Sequence, residues 1–148
     1  MLFQGEFNNS IDTNGRASIP AKFREALKNT FGDEKLVITK NTEGGLSAYP
    51  VPNWTKIVAN IEGAQPGQQK NAMIRLMVAP ATECSFDVQG RILIPPAVRC
   101  HARIEKEIVV IGMADKIDIY SQATYAEVTR RSEELLQNNL DFVASMGL

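Results

Sequence analysis

Two short segments of this chain carry the residue types that chemistry needs, in the same order: Asp12-Thr13-Asn14-Gly15-Arg16 and Asp87-Val88-Gln89-Gly90-Arg91. One chemistry open to paired aspartates is hydrolysis by two carboxylates that share a proton. An arginine adjoining each turn lowers a carboxylate's pKa and disfavours that shared proton. The glycine also stands one residue too late for an Asp-Thr-Gly turn. A nucleophilic triad would have to run through His101, the single histidine, which follows a segment carrying core-like Val98. No catalytic residue is therefore expected. A second use is bracing, with Asp12 and Asp87 accepting backbone N–H bonds, Gly15 and Gly90 supplying the special backbone angle, and arginine closing a local ion pair. A third is recognition of phosphate or guanine, for which a planar, permanently charged guanidinium fork is suited where lysine is not. Bracing and recognition both stay open for a single loop. The recurrence, which includes Arg24 and Arg99 eight residues after each glycine-linked arginine, favours recognition.

That recurrence is part of a longer repeat. Residues 12–24 align with residues 87–99 at a constant offset of 75, with six of thirteen positions identical. Further along, Leu46-Ser47-Ala48-Tyr49 with Trp54 matches Ile117-Asp118-Ile119-Tyr120 with Tyr125 at an offset of 71, so the second half has shorter connections. Such self-similarity marks two copies of one supersecondary unit.

The elements that must position the loops follow from local patterns. Glu6–Ile11 and Glu83–Phe86 read as short strands, and Asn14-Gly15, with Gln89-Gly90 as its weaker counterpart, as hairpin turns. The chain returns through Ala17–Ile19 and Ile92–Ile94 to Pro20 and Pro95, which suit a helix's first turn. Short helices follow, burying Phe23 and Leu27 in one copy, and Val98 and Ala102 in the other. A second strand pair comes next in both halves, around Gly44-Gly45 and near Ala114-Asp115, then a helix after Pro52 with Trp54, Ile57, Val58 and Ile61 at helical spacing. Gly63–Gly67 is the linker, and Met73, Leu76 and Met77 suggest a short amphipathic helix beyond it. Tyr125, Val128 and Leu135-Leu136 read as a final helix fraying into a polar tail. Each unit is too small to fold alone. The expected fold is α+β: a pseudo-symmetric, β-barrel-like core shared by two β-hairpin/helix units, with flanking helices. Its expected divisions are 3–62 and 81–126 for the repeats, 63–80 for the linker and short helix, and 127–148 for the last helix and tail.

Composition narrows the partners. The chain has 148 residues, 44% hydrophobic and 22% charged, which excludes a disordered or collagen-like chain. Cys84 and Cys100 are too few for a disulfide framework, lack CxxC spacing and, with one histidine, supply a metal site poorly; reduced structural thiols and no metal or cofactor are expected. The apolar run Ile108–Ile111 falls far short of the ~20 residues that span a bilayer. No secretory signal opens the chain, so a cytoplasmic protein without membrane or small-molecule partner is expected. Net charge is −1, yet residues 12–24 and 87–103 each carry +2, leaving −5 on the rest. One cationic face on an acidic body is the polarity that meets DNA.

The doubled Asp-x-x-Gly-Arg-x-x-x-Pro pattern, with Thr82-Glu83-Cys84 before the second copy and Tyr-Pro and Trp54 after the first, resembles the MraZ family. Each half resembles the AbrB-like swapped-hairpin DNA-binding domain, and the likeness runs from about Phe3 to about Val128. The resemblance implies a bacterial transcriptional regulator, nucleoid-associated, that binds double-stranded promoter DNA upstream of the division and cell-wall gene cluster, beginning with its own gene, as a ring-shaped homo-oligomer. Carried over by position, Arg16 and Arg91 contact base or groove. Asn14 and Gln89 touch phosphate or base edges, Lys22, Arg24 and Arg99 clamp phosphate, and Asp12, Gly15, Asp87 and Gly90 orient the loops. Lys22 is replaced by Ala97 in the second copy, so the second loop contributes less affinity or faces a neighbouring protomer. With two to four phosphate contacts per protomer, each adding ~0.9 to the salt slope, tight binding calls for several protomers on tandem sites. The alternative is an AbrB-like interaction or ring scaffold that binds no specific DNA.

Overall fold

Both halves of the computed structural model, which describes residues 2–148, run through one order, β-β-α-β-β-α. The first half comprises β1 (Phe3–Ser10), β2 (Arg16–Ser18), α1 (Ala21–Phe31), β3 (Lys35–Lys40), β4 (Leu46–Pro50) and α2 (Val51–Glu62). A linker follows, made of α3 (Gln68–Met73) and a π-helical turn (Ile74–Val78). The second half comprises β5 (Thr82–Ser85), β6 (Arg91–Leu93), α4 (Pro96–His101), β7 (Glu107–Ala114), β8 (Ile117–Ser121) and α5 (Gln122–Gln137), and α6 (Leu140–Ser145) ends the chain. The second half is shorter overall, as anticipated, through its helix and its β7–β8 turn, while its α4–β7 connection is longer than α1–β3. Helix α4 has 6 residues where α1 has 11, and the β7–β8 turn is tighter than the β3–β4 turn.

The halves exchange strands. β1 pairs with β7 of the other half and β5 with β3, giving a six-stranded antiparallel sheet in the order β1-β7-β8-β4-β3-β5, while β2 pairs with β6 in a separate ribbon. Two register pairs fix a pseudo-twofold axis. Ala17 faces Ile92, its own repeat equivalent, and Ser47 faces Asp118, likewise its own equivalent. The sheet does not close into the barrel expected from the sequence: it ends at β1 and β5. The Asp-x-x-Gly turns direct β2 and β6 out of the sheet, and the β1 end is tied to the ribbon by the isolated bridge Ile11–Ala17 and by Asn9 Nδ2, which donates to the Ser18 carbonyl at 2.9 Å.

The core lies between the sheet and the ribbon with α1 and α4. Leu36, Ile38, Leu46, Ile108, Val110, Ile117 and Ile119 point into it from the sheet and meet Phe23, Leu27, Ile92, Ile94 and Val98. Alternation along each strand puts one set inward. Val37, Val109 and Tyr120 face the other way and are also buried, because α2 and α5 cover that side. Phe3 and Phe7 of β1 both meet Phe23 of α1 edge-to-face, with ring centroids 5.5 Å apart, which seats the helix that carries Arg24. Where the axis crosses the outer face, buried Ser47 donates to Asp118 Oδ1 at 2.6 Å and the Tyr120 hydroxyl donates to Oδ2 at 3.2 Å. Beyond α5 the chain does not simply fray. It forms α6, with Leu140 and Phe142 exposed. None of its residues is buried, so no packing in the protomer accounts for this helix.

Candidate nucleic-acid interface

Both Asp-x-x-Gly-Arg segments close by the same hydrogen bonds. Asp12 N–H donates to the Arg16 carbonyl (3.0 Å) and Gly15 N–H to the Asp12 carbonyl (3.1 Å), and the second turn repeats this with Asp87, Arg91 and Gly90 at 2.9 and 3.1 Å. Asp12 Oδ1 accepts the N–H groups of Asn14 and Arg16, both at 2.9 Å, while Asp87 Oδ1 accepts those of Gln89 and Arg91 at 2.9 and 3.0 Å. These bonds exist only for an acceptor-bearing short side chain, the reason for aspartate at the turn's start. They also hold each carboxyl below the usual carboxylate range. For Asp12 the Arg16 N–H leads and the Arg91 charge adds; for Asp87 the Arg91 N–H leads, with its guanidinium adding. Gly15 and Gly90 sit at φ of +87° and +76°, the left-handed region.

The two turns are locked to one another. Through the β2–β6 ribbon, Ile94 N–H donates to the Gly15 carbonyl at 2.8 Å, and Ile19 N–H to the Gly90 carbonyl at 3.2 Å. Each turn is also backed by an arginine from the opposite repeat. Arg99 of α4 lies against Gly15, so close that a Cβ there would stand 2.6 Å from its terminal nitrogen. Arg24 of α1 lies beside Gly90, stacked over Phe86 at 5.5 Å and paired with Glu34 at 2.8 Å.

The two loop arginines differ. Arg91 Nε donates to Asp87 Oδ2 at 3.0 Å and a terminal nitrogen donates to Asp12 Oδ2 at 3.2 Å, so one guanidinium bridges both turns. Arg16 is exposed and makes no ion pair among the described residues. Asn14 and Gln89 stand exposed at the tips beside Thr13 and Val88, and Val88 is 98% exposed. Lys22 is not at the turns: its ammonium lies 5.6 Å from the Phe7 ring, toward Gly5 near the start of β1. Sequence reasoning passed over two residues. Val88 is an apolar side chain on a loop tip, and Arg103 lines a hollow of about 560 Å³ with Arg99, Asp12 and Thr13. Arg103 was visible as part of the local charge; its left-handed φ of +54°, which turns the chain out of α4 beside the first loop, was not.

A sequence profile of one family, "MraZ protein, putative antitoxin-like", matches residues 2–75 and again residues 77–141. The chain belongs to the MraZ family. A relative from Syntrophotalea carbinolica, bearing the name Transcriptional regulator MraZ, is 44% identical over 99% of each chain. Relatives of the same name from Pediococcus pentosaceus and Geotalea uraniireducens are 37% and 38% identical, covering 95% and 99% of this chain and 99% and 100% of their own. The match in two halves agrees with the repeat, and MraZ membership extends the likeness across nearly the whole length. Among the described residues no cluster of His, Cys, Asp or Glu could hold a metal ion, and no helix is long and apolar enough to cross a membrane. His101, sole candidate for histidine chemistry, has its pKa lowered by burial and by the nearby Lys40 charge, against a hydrogen bond to the backbone of Asn41.

Proposed function

We propose that this MraZ-family chain is a transcriptional regulator, not an enzyme, and that its paired turns bind promoter DNA upstream of the division and cell-wall gene cluster, its own gene first. The observation that carries the reading is the crossed support of the turns: each repeat's loop is braced by the other repeat's arginine, which makes one continuous surface of two small loops. Arg16, with no carboxylate partner among the described residues, is the residue for base readout, where a bidentate arginine contact discriminates by about 1–3 kcal/mol. Arg91 acts through the turns it ties together, and Asn14 and Gln89 reach backbone or base edges from the tips. Arg99 neutralises phosphate, Arg24, paired with Glu34, holds the second turn in place, and Lys22 adds charge at the rim. Exposed Leu135, Leu136, Leu140 and Phe142 on α5 and α6 support assembly into a homo-oligomeric ring, since a row of large apolar side chains is uncommon on a lone monomer. Such a protein works in the cytoplasm, associated with the nucleoid.

Fluorescence anisotropy with DNA from upstream of the protein's own gene tests the reading across a salt series. Arg16→Ala is expected to abolish preference for that DNA over scrambled duplex. Arg99→Ala is expected to weaken both alike and to reduce the salt slope by about 1. Equal affinity of the native protein for promoter and scrambled DNA would sink specific binding and leave the scaffold reading.

A further inference from the structure

We propose that the groove beside α5 receives the outer ridge of the linker helix of a second copy of this chain. The proposal rests on the oligomeric reading above and names its surfaces. The outer face of the sheet carries two grooves related by the pseudo-twofold axis. One, of about 290 Å³, is lined by Thr39, Tyr49, Trp54 and Ile57; the other, of about 260 Å³, by their repeat equivalents Ile111, Tyr120, Tyr125 and Val128. The aromatic pairs match in detail. Tyr49 and Trp54 lie 5.6 Å apart at 38°, Tyr120 and Tyr125 5.7 Å apart at 33°. The first groove is covered from within: Met73 and Met77 of the linker line it, and Thr39 Oγ1 donates to the Met77 carbonyl at 2.5 Å. The linker occurs once in the chain, so the second groove has no such cover. No residue of α6 lines it, and Met113 and Leu136 on its walls are each 45% exposed.

Charge selects the occupant. From residue 64 to residue 81 the chain holds Lys70 and Arg75 and no acid. Lys70 is engaged by the carbonyls of Glu62 and Ala64 at 2.7 and 3.2 Å, whereas Arg75 is exposed and forms no ion pair among the described residues. The groove the linker covers in its own chain is flanked by Lys40 and Lys116, both cationic; the open groove is flanked by Glu43 and Glu133. Met77 faces inward and Met73 lines the covered groove while staying 43% exposed, and Ile74 and Leu76, 38% and 51% exposed, stand on either side of Arg75. An apolar-cation-apolar ridge therefore meets an apolar trough with acidic walls. Ile74 and Leu76 of the second copy cover Met113 and Leu136, and Arg75 reaches Glu133 and Glu43. Ridge and trough are different surfaces, so the contact is heterologous. It repeats from copy to copy until a ring closes.

Native mass spectrometry of the full chain tests this with Arg75→Glu, Glu133→Arg and the double swap. Both positions are exposed and free of intramolecular ion pairs among the described residues, and circular dichroism checks the fold. Each single variant is expected to fall toward the protomer mass and the double swap to regain the native assembly. In a Cys100→Ser background, Leu76→Cys with Leu136→Cys is expected to give a disulfide ladder between copies. A native assembly that survives both single changes overturns the surface while the oligomeric reading stands. So does dissociation with neither rescue by the swap nor a ladder. A native protein that is itself a monomer overturns both.

Discussion

Replacing Gly15 with alanine is expected to cost more than replacing its repeat equivalent, Gly90, although both hold left-handed backbone. The shared cost is conformational: an L-residue at φ of +87° or +76° gives up about 1–2 kcal/mol. The difference lies in what the new Cβ meets. At Gly90 the nearest atom is the flexible end of Arg24 at 3.6 Å, an ordinary contact. At Gly15 it lies 2.6 Å from the end of Arg99, which can swing away, and 3.1 Å from the Ile94 carbonyl, which is backbone. Ile94 is also the residue whose N–H bonds the Gly15 carbonyl, so relief of the contact strains a hydrogen bond worth about 1 kcal/mol net. Gly90→Ala should then cost about 1–2 kcal/mol and Gly15→Ala about 2–3 kcal/mol. Urea denaturation at constant m reads both. The cycle with Arg99→Ala goes further. Because removal of Arg99 frees the space, Gly15→Ala and Arg99→Ala should add to less than their sum, whereas Gly15→Ala with Arg24→Ala should be additive. Additivity at 15 and 99 would refute the crossed-arginine arrangement, and equal costs at the two glycines would refute the close approach of the Ile94 carbonyl to Gly15.

Two further expectations follow from ionisation. Asp12 and Asp87 are held below their ordinary value of 3.8, so the stability they contribute is fully present above that pH and is lost as pH falls through their lowered native values. The gap in urea midpoint between the native chain and an Asp12→Ala/Asp87→Ala variant should therefore be full at pH 6 and shrink as the pH falls below 3.8; a constant gap would show that the carboxylate charge is immaterial. Cys84 is buried, its thiol pushed up to about 11 chiefly by desolvation with the Glu83 charge adding, while Cys100 is exposed. A chromogenic disulfide reagent should titrate one thiol in the native protein and a second only after unfolding, and comparable rates for both would contradict the packing of β5.

What could be read from the residues alone was what the chain states locally and twice. The turns were legible because Asp, Gly and Arg recur at fixed spacing, and Phe23, Leu27 and Val98 because helical periodicity marks a buried face. The open sheet was not legible. Strand pairing is set by which edges meet in space, and nothing in Phe3–Ser10 tells that its partner is Glu107–Ala114 rather than its own hairpin neighbour. Nor could spacing reveal that Arg24 and Arg99 serve each other's turns, since that crossing depends on the same exchange of strands. Lys22 looked equivalent to Arg24 in the sequence. Two residues apart on one helix they point to different sides, and Lys22 goes to Phe7. The difference between Arg16 and Arg91 was hidden for a further reason: identical letters at equivalent positions meet different neighbours once the halves have diverged.

The pair Ala17–Ile92 on the pseudo-axis would be one residue facing itself had the halves remained separate chains. A true homodimer has two indistinguishable ends, and DNA sites read by such dimers are palindromes for that reason. Covalent joining removes the obligation. With one arginine tethered and the other unpaired among the described residues, with lysine on one helix and alanine on its counterpart, the two halves are not interchangeable. A body of that kind has two unlike ends, so no half-turn maps it onto itself and its orientation on any partner is defined. Joining two halves into one chain has in this sense exchanged symmetry for polarity.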